Sequence, residues 1–270
     1  MRRTLLAAAL VLPLSPAFAA AGTTPGAPLA PRTGWVIDYA DTFCTATRGY
    51  GDPEDGPQLA FRPAPNDELV QIAVLRRGAY LPAEHTSVTV SFADEELKTT
   101  ALHYFVKKSG HRVALISVPA AAAAHLAQAK TITVKGGAGL DFTFAVPAIE
   151  KVVPALATCN ADLRAQWNIM TGNSVAPRPI TPLGRLITSE DYPRQAIDER
   201  ATGLSRVSLL VDEQGRVRDC LLLATSGNAS LDAMTCIVIQ QRAKFEPGRS
   251  ASGKPVKGAF FQSVSWRIQG

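Results

Sequence analysis

The sequence predicts an α+β protein made of a β-rich N-terminal domain that ends on a helix, followed by a small ββαβ domain. The small domain should have a three-stranded antiparallel sheet and one packed helix. Three observations predict this class. Short β-branched and aromatic runs, separated by Gly, Pro and Asp, fill residues 34–145. Apolar residues then recur at helical spacing from Ile149 to Leu163. Beyond a Pro-rich segment, the pattern is strand, strand, helix, strand.

The first residues have the layout of a secretory signal peptide. Arg2 and Arg3 precede an apolar run over residues 5–14, and Ala17-Phe18-Ala19 supplies a cleavage site. The alternative is an uncleaved membrane anchor. It is disfavoured because a spanning helix needs about 20 apolar residues, and this run is shorter and contains Pro13. The sequence therefore predicts that the mature chain is exported.

The predicted organisation has five segments. They are a signal peptide at 1–19, a flexible lead-in at 20–33, the β-rich domain at 34–168, a Pro-rich linker at 169–186 and the ββαβ domain at 187–270. Three prolines and a glycine in residues 171–183 favour an extended, non-helical chain. A stretch of about a dozen residues, such as 171–183, could reach about 40 Å at most.

The composition is that of a globular protein, with 46% hydrophobic and 19% charged residues. The formal net charge is +5, and cleavage would remove Arg2 and Arg3 to leave +3. The remaining Lys and Arg residues are scattered and form no basic block with aromatics. Nucleic acid is therefore not an expected partner.

Hairpins and one long helix are the clearest elements of the N-terminal half. Turns are predicted at Lys108-Ser109-Gly110 and at residues 136–139, between strand-like runs. A short Ala-rich helix is predicted at 120–129. The closing helix should bury Ile149, Val152, Leu156, Cys159 and Leu163, with a kink or break at Pro154.

The C-terminal half begins with a hairpin that turns at Gln214 and Gly215. A helix capped by Ser230 should run from Leu231 to about Phe245. The last strand, residues 256–268, is expected at a sheet edge beside residues 204–211. Its row of Val264, Trp266 and Ile268 should face the helix. The opposite row should be Lys257, Ser263, Ser265 and Arg267, together with the apolar Ala259 and Phe261.

The four cysteines are expected to form two disulfides, because an even number in an exported chain favours pairing. The predicted pairs are Cys44 with Cys159 and Cys220 with Cys236. Metal or redox chemistry was the alternative. It is disfavoured because no C-x-x-C occurs and the histidines do not cluster in sequence; they are His85, His103, His111 and His125. No metal site is expected.

Motifs for catalysis are incomplete. Residues 248–254 fit G-x-x-x-x-G-K, but Pro255 stands where the phosphate-binding loop needs Ser or Thr, and the segment follows a helix. Ser226 lacks the glycine of a nucleophile elbow at Ala224. Asp212 and Glu213 fit a solvated turn, and Asp232 fits a first helical turn. The sequence predicts no nucleotide, no cofactor and no enzymatic activity.

Several ordered motifs lie between residues 189 and 268. They are DYPRQA at 191–196, GLSRV at 203–207, VDEQGRV at 211–217, SG and LD at 226–232, AKFEP at 243–247 and GKPV at 253–256. In this order they resemble the TonB C-terminal domain family. The residues that carry the resemblance are Tyr192, Pro193, Gly215, Ser226, Gly227, Leu231, Asp232, Phe245 and Pro247. Residues 34–168 only faintly resemble a module that accompanies this domain, and that module implies no chemistry.

The resemblance implies a protein-binding function. Family members link a proton-driven inner-membrane complex to outer-membrane transporters, and their last strand pairs with a transporter segment by strand addition. The implied contact residues here are Val256, Lys257, Ala259, Phe261, Ser263 and Ser265. Lys257 and Arg267 could instead protect the edge, whereas Phe261 could anchor an added strand.

The expected partner is an outer-membrane TonB-dependent receptor. The competing hypothesis is a structural envelope protein that uses the same module for self-association or peptidoglycan contact. The predicted signal peptide replaces the family's membrane anchor, and the family's long Pro-rich spacer is missing. Both departures count against energy transduction through this chain.

Overall fold

The computed structural model describes residues 27–172 and 174–268. The predicted signal peptide therefore lies outside the described residues. Over the described ranges the protein combines many strands with several helices, in agreement with a mixed, strand-rich class. Within those ranges, no helix is both long enough and apolar enough to span a bilayer.

Nine strands form one antiparallel sheet in the N-terminal part. They are β1 (Val36–Tyr39), β2 (Cys44–Gly49), β3 (Gln58–Pro63), β4 (Leu69–Arg77), β5 (Glu84–Phe92), β6 (Glu95–Val106), β7 (His111–Pro119), β8 (Thr131–Gly136) and β9 (Leu140–Ala145). Their order across the sheet is β1-β2-β3-β4-β7-β6-β5-β8-β9. The two hairpins predicted from the sequence are β6–β7 and β8–β9.

One face of this sheet forms the main core. Leu59 and Phe61 of β3 and Ile72 of β4 are almost fully buried on that face. The intervening Ala60 and Ala73 point to the opposite face and are only half-buried. This alternation follows from the period of two in a β-strand, which sends successive side chains to opposite faces.

The described end of the predicted flexible lead-in belongs to the sheet. The Leu29 amide donates to the Thr143 carbonyl over 2.6 Å, and the Leu29 carbonyl accepts from the Ala145 amide over 3.0 Å. The Arg32 amide donates to the Gly49 carbonyl over 2.8 Å. These bonds connect β9, at one edge, with the end of β2 near the other. The prediction of flexibility is wrong for this part of the segment, because its backbone is paired.

Two helical segments complete the N-terminal part. α1 (Ala120–Ala123), continued by a 3₁₀ turn at Ala124–Gln128, occupies the predicted Ala-rich helix. α2 (Ile149–Gln166) buries its predicted apolar stripe and continues through Pro154 without a break. A disulfide joins Cys159 of α2 to Cys44 of β2. The indole nitrogen of Trp167 donates to the Asp41 carbonyl over 2.7 Å, which fixes the end of the helix.

The Pro-rich linker is folded against the C-terminal part and is not an extended spacer. It contains β10 (Ser174–Val175), β11 (Arg178–Pro179) and α3 (Leu183–Leu186). β10 pairs with residues 249–250, and β11 pairs with residues 245–246. Leu183 is buried in the C-terminal core. The expected extended, non-helical linker is therefore corrected, because its backbone and its one buried leucine find partners in the domain that follows.

The C-terminal part follows the predicted order. Its elements are α4 (Arg194–Asp198), β12 (Gly203–Val211), β13 (Val217–Ala224), α5 (Ala229–Arg242), β14 (Phe245–Glu246), β15 (Gly248–Ser250), β16 (Pro255–Val256) and β17 (Gly258–Trp266). The main sheet has the order β13-β12-β17 and is antiparallel. The predicted last strand is therefore divided between β16, which pairs with β15, and β17, which lies beside β12.

The helix α5 covers one face of this sheet, where Val264 and Trp266 are buried. Ile268, which was expected in the same row, is 42% exposed because β17 ends before it. The helix begins one residue before Ser230, and its cap is Asn228, whose side-chain oxygen accepts from two backbone amides. The second disulfide, Cys220–Cys236, joins β13 to α5 as predicted.

The other face of the C-terminal sheet packs against the N-terminal part. Leu210 and Ala259 belong to the N-terminal core cluster. Leu221 and Leu223 of β13 pack with Ala64 and Leu69. The sheet therefore buries apolar residues on both faces, whereas the sequence pattern of β17 alone predicted a largely polar outer face.

Candidate functional site

The candidate site is the edge of β17 that faces away from β12. One side of β17 pairs with β12 from Gly258 to Trp266. No strand pairs with its other side among residues 27–172 and 174–268. An unpaired edge exposes backbone donors and acceptors, so its accessibility has to be judged residue by residue.

The beginning of the predicted edge is covered by the chain itself. Val256 lies in β16 and is paired with β15. The Lys257 ammonium lies 5.0 Å from the centre of the Trp167 ring, in cation–π geometry. The Lys257 carbonyl accepts from the Asn168 side chain over 3.0 Å. These two positions are therefore engaged within the molecule.

The middle of the edge strand faces the N-terminal part. Ala259 is only 9% exposed, and Phe261 is half-buried against the core clusters that contain Ala64 and Leu69. Phe261 was expected to be an outward anchor for an added strand. That expectation is corrected, because its ring already packs within the protein.

The end of β17 is more accessible. Ser263 is half-buried, Ser265 is exposed and the neighbouring Gln262 is also exposed. The guanidinium Nε of Arg267 donates to the Ser265 hydroxyl over 3.2 Å. Of the six residues that were predicted to contact a partner, only Ser263 and Ser265 lie on this open part of the strand.

A groove of about 710 Å³ adjoins the open end. It lies between the chain at 184–197 and the last residues of β17. Its apolar walls include Ile187, Tyr192, Ile197, Trp266 and Ile268. Ile197 and Ile268 are 47% and 42% exposed, so the groove offers apolar surface to a partner. This volume is within the usual range for binding clefts.

Tyr192 and Trp266 make the rigid floor of this groove. Their rings meet edge to face, with centres 5.3 Å apart. The Tyr192 hydroxyl donates to the Ala201 carbonyl, and burial raises the pKa of Tyr192. The Trp266 indole nitrogen donates to the Thr235 hydroxyl over 2.8 Å. Both polar groups are thus satisfied inside. Trp266 is only 1% exposed and supports the groove from beneath, whereas Tyr192 is half-buried and keeps part of its surface at the groove.

Asp232 lies in the first turn of α5, as expected, and is also a buried hub of hydrogen bonds. Its carboxylate accepts from the Ser205 hydroxyl over 2.7 Å and from the Ser226 amide over 2.8 Å. It also bonds the Thr225 hydroxyl, and Nε2 of His85 in the N-terminal part lies 3.1 Å away. Burial raises the pKa of Asp232, but these hydrogen bonds outweigh burial and hold it below its ordinary value. The hub joins β12, α5 and the N-terminal sheet.

The turn between β12 and β13 requires glycine at position 215. The φ of Gly215 is +74°, and a Cβ there would lie 1.9 Å from the Phe245 carbonyl oxygen. The Phe245 amide donates to the Gly215 carbonyl over 3.0 Å. Asp212, expected to be solvated, is buried and accepts from the Gln214 and Arg216 amides. Both features hold the β12–β13 turn against β14.

Comparison with protein families identifies this part of the chain. Residues 188–268 match the family model described as Gram-negative bacterial TonB protein C-terminal. This segment is a TonB C-terminal domain. The match begins near the 3₁₀ turn before Tyr192 and ends just beyond β17. Neither curated proteins nor solved structures give a match to the chain.

The motif residues of the TonB C-terminal domain have structural roles that the fold explains. Pro193 immediately precedes α4, and Gly227 has a φ of +92° in the turn before α5. Leu231 is fully buried under Trp266, and Phe245 packs its ring against Phe260. Pro247 separates β14 from β15. These motif residues therefore mark the frame of the domain, and Tyr192 is the motif residue that also lines the groove.

An ion pair that the sequence did not indicate also supports this frame. The guanidinium of Arg242, in the last turn of α5, donates to both carboxylate oxygens of Asp191, over 2.6 and 2.7 Å. These bonds lower the pKa of Asp191. The two residues are 51 positions apart. Only the tertiary fold brings them together, beside the chain that forms the groove.

One group of side chains has donors spaced for a metal ion. Ligand atoms of Asp94, Glu95 and His125 lie within 4.8 Å of one another on an accessible surface of the N-terminal part. His125 Nδ1 is 3.0 Å from Asp94, and this hydrogen bond raises the pKa of His125. Sequence spacing did not indicate this cluster, because His125 lies in the 3₁₀ turn after α1 whereas Asp94 and Glu95 lie where β5 turns into β6. A surface ion pair accounts for the arrangement.

Proposed function

We propose that this is an exported periplasmic protein whose TonB C-terminal domain binds a protein partner by strand addition. The proposed contact is the open end of β17, from Gln262 to Trp266, with the adjoining groove. A segment of an outer-membrane TonB-dependent receptor is the proposed partner. The protein would act in recognition, without catalysis and without a cofactor.

The observation that carries the proposal is the combination of an unpaired strand end with an apolar groove. Backbone groups along Gln262–Trp266 can bond an added strand, and side chains of that strand can enter beside Tyr192 and Ile268. The remainder of β17 is engaged within the molecule. The proposed contact is therefore shorter than the whole strand and lies nearer the chain's C-terminal end.

Energy transduction is not part of the proposal. The predicted signal peptide would release the chain from the inner membrane. The folded linker also shortens the reach of the domain, because β10 and β11 hold it against residues 245–250. We propose a binding module that operates without a motor attached to the same chain.

Site-specific photo-crosslinking in the cell envelope tests the proposal. A photoreactive residue at Ser265 should crosslink to an outer-membrane receptor. The same residue at Ile237 is a matched control, because Ile237 is 44% exposed on α5 and does not line the groove. Ile268→Glu should reduce the Ser265 crosslink about tenfold, since it places a charge in the apolar groove. Undiminished crosslinking in Ile268→Glu contradicts the proposed contact.

A structural envelope protein remains the second candidate, and the open strand end favours it equally. Two copies could pair edge to edge at the same residues. Crosslinks from Ser265 to a second copy, with no receptor captured, would select self-association. Sequencing of the exported protein separately tests cleavage, which should leave Ala20 as the first residue.

A further inference from the structure

A second cleft lies between the N-terminal sheet and the TonB C-terminal domain. It has a volume of about 640 Å³ and is separate from the groove at β17. Its floor is the outward face of β3, β4, β7 and β6. Its roof is the disulfide Cys220–Cys236 with Ile237 of α5, which is 44% exposed. Ligand sites in proteins commonly occur at such interfaces.

The floor is apolar because of the strand register. Ala60, Ala73, Leu115 and Leu102 stand side by side on four adjacent strands. The next row contains Leu75, Val113 and Tyr104, with Gln58 at its end on β3. Alanine on the two strands that share the centre of the floor leaves space above the sheet, since larger side chains there would fill it. A solvated sheet face would carry polar residues at these positions.

The two ends of the cleft differ. At one end the guanidinium of Arg62 pairs with the Asp219 carboxylate, so the charges there are balanced. At the other end lies the β6–β7 turn, whose Ser109 and His111 line the cleft. The lining extends from the row of Gln71 to the row of His111, which pairs with Arg77. These rows are six residue steps apart, or about 20 Å at the rise of a β-strand. The cleft is thus a long apolar trough.

The mouth at the β6–β7 turn is basic. Lys107 and Lys108 lie in that turn and are exposed, and Arg77 is paired with His111 across the strands. Within the described part of the chain, none of these four residues forms an ion pair with an acid. The uncompensated positive charge favours a ligand with an anionic end.

We propose that this cleft binds a long-chain fatty acid. The hydrocarbon chain would lie in the trough above Ala60 and Ala73, beneath Ile237. The carboxylate would lie at the mouth, near Lys107, Lys108 and Arg77. The elongated apolar shape, the single basic mouth and the balanced charges at the closed end together fit one chain with one acidic head. This ligand would be independent of a partner strand at β17.

Calorimetric titration of the full-length mature protein with monomeric dodecanoate tests the proposal. Binding should have a stoichiometry of one. Dodecyl maltoside, which has an equal chain and an uncharged head, should bind at least about tenfold more weakly. Absence of dodecanoate binding overturns the proposal. Equal binding of dodecyl maltoside overturns the role of the basic mouth. Tighter binding of a lysophosphatidylglycerol overturns the assignment to a fatty acid.

Two pairs of variants locate the site. Ala73→Trp should fill the trough and weaken dodecanoate binding at least about tenfold. Ser87→Trp places the same ring at an exposed strand position away from the cleft and should leave binding unchanged. If Ala73→Trp binds normally, the ligand lies elsewhere.

Two double variants that reverse lysine charges test the site independently if Ala73→Trp folds poorly. Lys107→Glu with Lys108→Glu should weaken dodecanoate binding about tenfold at low salt, with a smaller effect at high salt. Lys98→Glu with Lys135→Glu makes the same change in net charge on exposed strand positions away from the cleft, and should change affinity by less than about twofold. Equal losses in both double variants would show only a general charge effect and overturn the proposed mouth.

Discussion

The contacts that stabilise the N-terminal sheet join residues that are far apart in the chain. The contacts that stabilise the TonB C-terminal domain join residues that are close together in the chain. In the N-terminal part, the disulfide Cys44–Cys159 joins residues 115 positions apart, and Leu29 pairs with β9. In the C-terminal domain, Cys220–Cys236 spans only 16 positions, and β12, β13 and α5 follow one another. The difference teaches that a compact local module can be recognised from its own segment, whereas the larger sheet depends on distant residues.

The two halves of β17 also differ in their contacts. Its first half is engaged by the N-terminal part through Ala259 and Phe261, and its end is open beside the groove. The first half of β17 therefore serves internal packing, and its end is the part that can contact a partner. The N-terminal part limits which portion of the TonB C-terminal domain can meet a partner.

Removing the two disulfides one at a time should give the largest effects. Replacing Cys44 and Cys159 by Ala should lower the free energy of unfolding of the N-terminal part by about 4.7 kcal/mol in the chain-entropy model. Replacing Cys220 and Cys236 by Ala should cost the C-terminal domain about 3 kcal/mol, because the closed loop is shorter. Urea midpoints measured by circular dichroism would show both. Equal losses, or a larger loss in the short loop, would contradict the long-range stabilisation of the sheet.

The two halves of β17 should respond differently to truncation. Phe261→Ala should destabilise the protein by about 2 kcal/mol, because it leaves a cavity between the N-terminal part and the C-terminal sheet. Ser265→Ala, at the open end, should change the free energy of unfolding by less than about 0.5 kcal/mol. Denaturant midpoints of both variants give the comparison. A neutral Phe261→Ala would mean that this contact does not hold the two parts together.

Apart from the near-neutral Ser265→Ala, the smallest effect should be the pH dependence of stability that arises from Asp191. Its folded-state pKa is lowered by Arg242, so its contribution to stability is present above the ordinary pKa of about 4. That contribution is lost as the pH falls through the lower folded-state value. Because Arg242 is partly exposed, we expect about 1 kcal/mol at most.

Asp191→Asn and Arg242→Gln should each remove the contribution of this ion pair to the free energy of unfolding. Urea midpoints between pH 7 and pH 3 would then fall less steeply than in the unchanged protein. If both variants keep the original slope, other carboxylates control acid stability. The hub at Asp232 would then be the next group to examine, because its pKa is also lowered in the folded state.

Local signals in the sequence predicted the C-terminal frame well. The alternation of Val207, Leu209 and Val211, the turn at Gly215 and the helix after Asn228 all lie within short stretches. Each is decided by neighbouring residues, so periodicity and turn chemistry are sufficient. The cap itself was assigned to Ser230, because Asn and Ser are both good caps and stand close together.

The open edge could be predicted only in part. Composition of β17 showed a strand with one apolar row, but Phe261 was assigned to solvent. Its burial depends on Ala64 and Leu69, which are almost 200 positions earlier. The linker presented the same difficulty, because its prolines indicate an extended chain but do not indicate what that chain pairs with.

The sequence by itself determined the strand-rich α+β class, the TonB C-terminal domain and the partners of all four cysteines. These follow from periodicity, ordered motifs and the position of each cysteine on a predicted element. The tertiary structure decided which half of β17 is open, how Asp232 joins His85, and that a cleft exists above Ala60 and Ala73. Such features arise where two surfaces meet, and the free energy of that contact depends on side chains that are distant in the chain and carry no local pattern.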